Sequence, residues 1–112
     1  MTGALEGIRV LELARFQAGP RGGMILSDLG AEVIKIEKLG GEETRKSPPL
    51  VRGQSVYFSV YNRGKKSLCL DLRTERGKEV FAALVKTPTS CCRISVPASW
   101  TRWALAISGS AN

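Results

Sequence analysis

Histidine is absent from this chain, and aromatic residues make up only 6% of its 112 positions. Without histidine, the sequence offers neither the most common general base near neutral pH nor the most common metal ligand. No apolar run reaches the roughly 20 residues that span a bilayer, and the amino terminus lacks the basic and apolar regions of a secretory signal. These absences predict a cytoplasmic protein that binds no metal and enters no membrane.

Cysteine is scarce as well, with three residues at Cys69, Cys91 and Cys92. None of them has the C-x-x-C spacing of a zinc or redox site, so a disulfide scaffold or metal centre is not expected. Cys69 falls inside a predicted strand, where a free cysteine behaves as a small apolar residue. We therefore expect its side chain to be buried.

The net charge of +7 is distributed unevenly along the chain. All ten acidic residues precede Lys86, whereas the segment after it contains Arg93 and Arg102 and no acid. A basic surface can attract a polyanionic cofactor, an anionic lipid or a nucleic acid. Because the cations are scattered with few aromatic residues between them, nucleic acid is not an expected partner.

The order of apolar segments predicts an α/β fold, an incomplete Rossmann-like parallel sheet made of a βαβ unit plus a third strand and helix. In such sheets ligands bind outside the carboxyl ends of the strands. The apolar and Gly/Pro patterns predict strands at 8–13, 31–37 and 67–72, a helix from Pro20 that ends at Gly30, a functional loop at 38–56, a helical turn at 57–62, and a helix at 75–86 capped by Thr74.

The turn at 16–23 leaves two interpretations open. Free backbone N–H groups at a helix start can bind an anion, but any connection from a strand to a helix needs such a turn. Glu37 ends the second strand, where an acid would hold a ribose. The sequence GPRGG replaces the G-x-G-x-x-G fingerprint, so NAD is not expected. The cations Arg63, Lys65 and Lys66 could meet phosphate oxygens or a partner subunit, or form a solvated turn.

Three motifs in sequence order resemble the signatures of CoA-transferase family III, which includes formyl-CoA transferase, carnitine CoA-transferase and α-methylacyl-CoA racemase. They are QAGP at 17–20, GAEVIKIE at 30–37, and NRGKKS at 62–67 leading into LDL at 70–72. The resemblance covers residues 1–86 and implies the N-terminal CoA-binding part of an enzyme of acyl-CoA metabolism. It implies a transferase that moves coenzyme A between carboxylic acids, and family members that form interlocked homodimers. The substrate acid, and the choice between transferase and racemase, stay open.

The resemblance also implies which residues bind CoA or acyl-CoA, the substrate. The turn after the first strand would contact CoA and the acyl group through Gln17 and Ala18, and Lys38 would contact CoA after the second strand. Lysine supplies charge but lacks the bidentate fork of arginine. The end of the third strand would line the site with Leu70, Asp71, Leu72 and Arg73.

The segment 87–112 departs from the family. When it is back-translated and read one nucleotide earlier, the fixed bases permit DADVLLQNFRPG, which resembles the family segment expected there. We interpret this tail as out of frame or, alternatively, as a disordered terminus.

The resemblance also implies that the catalytic residue lies beyond this sequence. The family's catalytic aspartate acts by covalent carboxylate catalysis, and neither Asp28 nor Asp71 matches it. We therefore predict no catalytic residue and a fragment that is inactive alone. A stand-alone anion- or nucleotide-binding module and a non-functional gene remnant remain alternatives.

Overall fold

A computed structural model describes residues 3–86, and the interpretation of 87–112 lies outside these described residues. The chain forms α-helices and β-strands around a parallel three-stranded sheet, which confirms the predicted α/β class. The elements in chain order are β1 Arg9–Glu12, α1 Ala18–Asp28, β2 Glu32–Glu37, a 3-10 helix Glu43–Lys46, β3 Leu50–Val51, β4 Gln54–Ser55, α2 Val56–Asn62, β5 Lys66–Cys69 and α3 Glu75–Lys86.

The sheet has the order β1-β2-β5, with β2 in the centre. Val10 pairs with Val33 across β1 and β2, and Ile36 pairs with Leu68 across β2 and β5, both in parallel register. Helix α1 connects β1 to β2, which confirms the predicted parallel βαβ unit. Because all three strands run in the same direction, their carboxyl ends meet at one edge of the sheet.

Each face of the sheet carries its own apolar cluster, because successive strand residues point to opposite faces. On one face Val10, Ala31 and Val33 are buried against Leu26 of α1. On the other face Leu11 and Ile36 are buried with Phe81 of α3. Helices therefore cover the sheet on both sides, as is usual for parallel strands.

Both long helices have the boundary signals that the sequence indicated. Gly30 adopts a φ of 104°, a left-handed conformation that glycine favours just after a helix end. Helix α1 begins at Ala18, two positions before the predicted start at Pro20. Helix α3 has the predicted bounds, and the Thr74 hydroxyl accepts a hydrogen bond from the Gly77 amide at 3.1 Å. A Cβ at Gly77 would lie 2.0 Å from the Asp71 carbonyl oxygen, so this glycine lets α3 pack closely on the segment after β5.

Residues 38–56 differ from the long loop that was predicted. They contain the 3-10 helix and a hairpin of β3 and β4, whose turn residues Arg52 and Gly53 both have positive φ angles of 51° and 77°. Two-residue strands are too short to show an alternating pattern, so they could not be predicted from the sequence. The helical turn predicted at 57–62 is the seven-residue helix α2, which Ser55 caps by accepting a hydrogen bond from the Phe58 amide.

The third strand is shorter than predicted and begins one residue earlier, at Lys66 instead of residue 67, and ends at Cys69. Leu70, Asp71 and Leu72 therefore belong to the segment that follows the strand. The prediction of a buried Cys69 is wrong, since its side chain is exposed. A cysteine within a strand was expected to pack as a small apolar residue, but β5 lies at the edge of the described sheet, and its residues other than Leu68 are exposed. None of the helices within residues 3–86 is long and apolar enough to cross a membrane.

Candidate functional site

A cavity of about 690 Å³ opens at the carboxyl edge of the sheet. All three strands contribute to its wall through the residues at or after their ends, and α3 adds one lysine. The lining residues are Leu13, Ala14, Arg15, Ile36, Glu37, Lys38, Leu39, Glu42, Leu70, Asp71, Leu72, Arg73 and Lys78. Leucine side chains with several cations around them suit a ligand that has both an apolar part and anionic groups.

The cavity brings together five of the seven predicted site residues, namely Lys38, Leu70, Asp71, Leu72 and Arg73. Gln17 and Ala18 do not line it and are exposed at the start of α1. The Gln17 side chain instead donates a hydrogen bond to the Tyr61 hydroxyl at 3.0 Å, which ties the turn to α2. The role of all seven residues in binding stays a prediction.

The cations at the cavity mouth have acidic partners that a ligand can replace. Lys38 Nζ lies 2.5 Å from Glu43 Oε1, and the same carboxylate lies 3.8 Å from Arg15. The hydrogen bond from Lys38 lowers the pKa of Glu43. Arg73, whose side chain is 91% exposed, pairs with Asp71 at 3.0 Å and lowers the pKa of that carboxyl group. Such exposed pairs contribute about 1 kcal/mol or less, so an anionic ligand can compete for both cations.

Glu37 is buried at the cavity wall, and both of its oxygens already have partners within the chain. Arg45 donates to it through two hydrogen bonds of 2.8 and 2.6 Å, and the Glu42 amide donates at 3.1 Å. The Ser67 hydroxyl also donates to it. Burial raises the pKa of Glu37, but these hydrogen bonds outweigh that effect and lower the pKa to about 2. The carboxylate therefore fixes the 3-10 helix to β2 rather than standing free for a ribose.

A buried charge network adjoins the cavity and consists of Glu12, Lys35, Glu42 and Lys65, of which Glu42 lines the cavity. Lys35 and Lys65 are each only 2% exposed, and both approach the Glu12 carboxylate, at 3.0 and 2.7 Å. No role was predicted for Glu12 or Lys35 from the sequence. Each is a charged residue within an apolar strand, and the two face each other in the parallel register of β1 and β2.

The cationic cluster at 63–66 does not form one surface. Arg63 pairs with Asp28 at 2.7 Å, and Lys66 pairs with Glu32 at 2.5 Å. Lys65 points inward to the buried network, where burial lowers its pKa although Glu12 partly opposes that effect. No group of three or more cysteine or acidic side chains suited to a metal ion occurs within residues 3–86.

Comparison with known proteins agrees with the observed fold. A model of CoA-transferase family III matches residues 5–105. A succinyl-CoA:mesaconate CoA-transferase of Haloarcula hispanica is 45% identical over 89 residues, which is 75% of this chain and 22% of that protein. A succinyl-CoA:glutarate CoA-transferase of Mus musculus is 48% identical over 82 residues, which is 71% of this chain and 19% of that protein.

Solved structures show the same similarity at the level of the fold. The crystal structure of Rv3272 from Mycobacterium tuberculosis superposes with a TM-score of 0.81 and 39% identity, covering 93% of this chain and 29% of that chain. A CaiB/BaiF family protein from Brucella suis gives a TM-score of 0.76 with 42% identity, covering 83% of this chain and 26% of that chain. The chain belongs to CoA-transferase family III. It spans about a fifth of the length of the curated relatives that it matches.

Proposed function

We propose that this chain supplies the N-terminal part of the coenzyme A site of an enzyme that moves CoA between carboxylic acids. The observation that carries the proposal is the convergence of three strand ends on one cavity, whose wall holds Lys38 and the segment from Leu70 to Arg73. Family membership adds support, because the relatives are named as CoA-transferases of several acids.

The cavity wall matches the chemistry of CoA in two respects. CoA carries several phosphate charges, and Lys38 and Arg73 are exposed cations whose acidic partners are held only by weak surface pairs. Its long pantetheine arm is mostly uncharged, and Leu39, Leu70 and Leu72 offer apolar surface beside those cations. In this proposal the two cations bind phosphate oxygens, and the leucines contact the arm.

The turn that carries Gln17 and Ala18 is assigned a separate role on the acyl side of the ligand. Gln17 and Ala18 are exposed, and the hydrogen bond from Gln17 to Tyr61 holds the turn against α2. We propose that this chain binds CoA weakly and shows no transferase turnover alone, since Asp28 and Asp71 do not match the acyl-accepting aspartate. The interlocked dimer is part of the same proposal.

The test is a calorimetric titration of the chain with CoA at low and high salt. We expect weak binding that decreases as salt rises, because charge pairs with phosphate are screened. Lys38→Ala and Arg73→Ala should each weaken binding about fivefold, as the loss of about 1 kcal/mol requires. Lys38→Ala should also make the dependence on salt less steep.

Lys46→Ala is the matched control, because Lys46 is an exposed cation of the 3-10 helix that does not line the cavity. It should leave the affinity within experimental error of the unchanged chain. Tight, salt-insensitive binding that neither cavity substitution alters would contradict the proposed site.

A further inference from the structure

Two buried lysines lie on either side of the connection between β1 and α1, which comprises residues 13–17. Lys35 contacts Ala14 within the connection, and Lys65 contacts Pro20 in the first turn of α1. The first residues of this connection form part of the cavity wall, and its last residue is Gln17. Neither lysine lines the cavity, so neither is in a position to contact a ligand there.

Lys35 holds the end of the connection that follows β1. Its Nζ donates to the Ala14 carbonyl oxygen at 3.0 Å and to Glu12 at 3.0 Å, and it lies 2.7 Å from Glu42. Ala14 follows β1 and Glu42 follows β2, and both residues line the cavity. One ammonium group therefore fixes the distance between two walls of the cavity.

Lys65 holds the first turn of α1, which directly follows the connection. Its Nζ donates to the Pro20 carbonyl oxygen at 2.8 Å and to Asn62 at 3.0 Å, and it lies 2.7 Å from the second oxygen of Glu12. Two of these contacts are hydrogen bonds, and the contact with Glu12 is a close ion pair. The Glu12 carboxylate thus bridges the two lysines that grip the connection.

Gly23 of α1 leaves space for the Glu12 carboxylate, because glycine has no side chain. A Cβ at Gly23 would lie 1.8 Å from Glu12 Oε2 and 3.2 Å from Lys65 Cε. Buried ion pairs often stabilise a fold no better than apolar residues of similar volume. Stability alone therefore does not account for a charged bridge where leucine and methionine would fill the same space.

We propose that Glu12, Lys35 and Lys65 are positioning residues, which set the affinity of the cavity by holding the backbone of residues 13–17 in place. This inference rests on the proposed function for its ligand, coenzyme A. The rigidity of the connection is inferred from the geometry alone and does not depend on the ligand. The two parts can therefore be tested separately.

The test uses the double variant Glu12→Met/Lys65→Met, which removes one acid and one base together and leaves Lys35 paired with Glu42. Unbranched methionine side chains can fill the vacated space. We expect the variant to fold, and the backbone order parameters of residues 13–17 to fall from about 0.85 to below about 0.6. Order parameters in β2 should not change. CoA affinity should fall about tenfold, while its dependence on salt should stay the same because no ligand-contacting charge is lost.

The matched control is Arg9→Gln/Glu32→Gln, which removes an ion pair at the opposite, amino-terminal edge of the same two strands. It should leave the connection rigid and the affinity unchanged.

A second measurement uses the unsubstituted chain and does not depend on whether the variant folds. In that chain the order parameters of residues 13–17 should already be as high as those of β2. A mobile connection in that chain, or a double variant with unchanged rigidity, would overturn the proposal. An absence of CoA binding by the unsubstituted chain would contradict only the proposed function.

Discussion

Replacing Lys35 by methionine alone should bring the domain close to unfolding. The substitution leaves the carboxylates of Glu12 and Glu42 buried, with Lys65 as the one remaining cation of the network. Removing one partner of a buried ion pair costs about 3–5 kcal/mol, because the remaining charge has no compensation. A domain of this size has about 5–15 kcal/mol of total stability, so the loss would be a large part of it.

The measurement is the urea midpoint of unfolding, followed by far-ultraviolet circular dichroism. Lys46→Met is the matched control, because it makes the same chemical change at an exposed position of the 3-10 helix and should leave the midpoint nearly unchanged. If Lys35→Met had the same midpoint as the control, Lys35 would not be buried among these charges.

The second large effect concerns acid stability and the Glu37 carboxylate, whose side chain is 1% exposed. Its pKa is about 2 in the folded chain against 4.5 as the ordinary value. A carboxyl group whose pKa is lowered by folding stabilises the fold above its ordinary pKa. That contribution is lost as the pH falls from 4.5 towards 2. The shift corresponds to about 3 kcal/mol.

We expect the free energy of unfolding of the unsubstituted chain to decrease over that pH range, and that of Glu37→Gln to depend on pH less steeply. Glu37→Gln should also be less stable at neutral pH, since Arg45 loses its charged partner. Glu79→Gln, at an exposed position of α3, is the control and should retain the full acid dependence. Equal slopes for Glu37→Gln and the unsubstituted chain would contradict the assignment.

The parallel sheet and the two long helices could be predicted because the apolar patterns of the sequence are strong in these elements. Helix α3 has the bounds that the Thr74 cap and the apolar stripe around Phe81 indicated. Helix bounds of this kind depend on residues close together in the chain, which local patterns report well. The segment from Leu70 to Arg73 was implied by the family resemblance; it lines the cavity, and its role in binding stays a prediction.

The features that the sequence did not reveal depend on contacts between distant residues. The partnership of Glu12 with Lys65 joins positions on β1 and just before β5, so no local spacing signals it. Cys69 was expected to be buried because it lies within a strand, but β5 is at the edge of the described sheet, and strand order is set by pairing between distant segments. The family resemblance implied that Gln17 contacts CoA, but it could not indicate the hydrogen bond from Gln17 to Tyr61, which depends on the placement of α2.

The most direct test of the central claim maps where coenzyme A binds, by following backbone amide chemical shifts during a titration of the unsubstituted chain. We expect the shift changes to concentrate in the cavity wall, at residues 13–15, 36–39 and 70–73, and we expect none in the hairpin of β3 and β4. Shift changes confined to the hairpin or to the opposite edge of the sheet, or no changes at saturating CoA, would contradict a CoA site at the carboxyl ends of the strands.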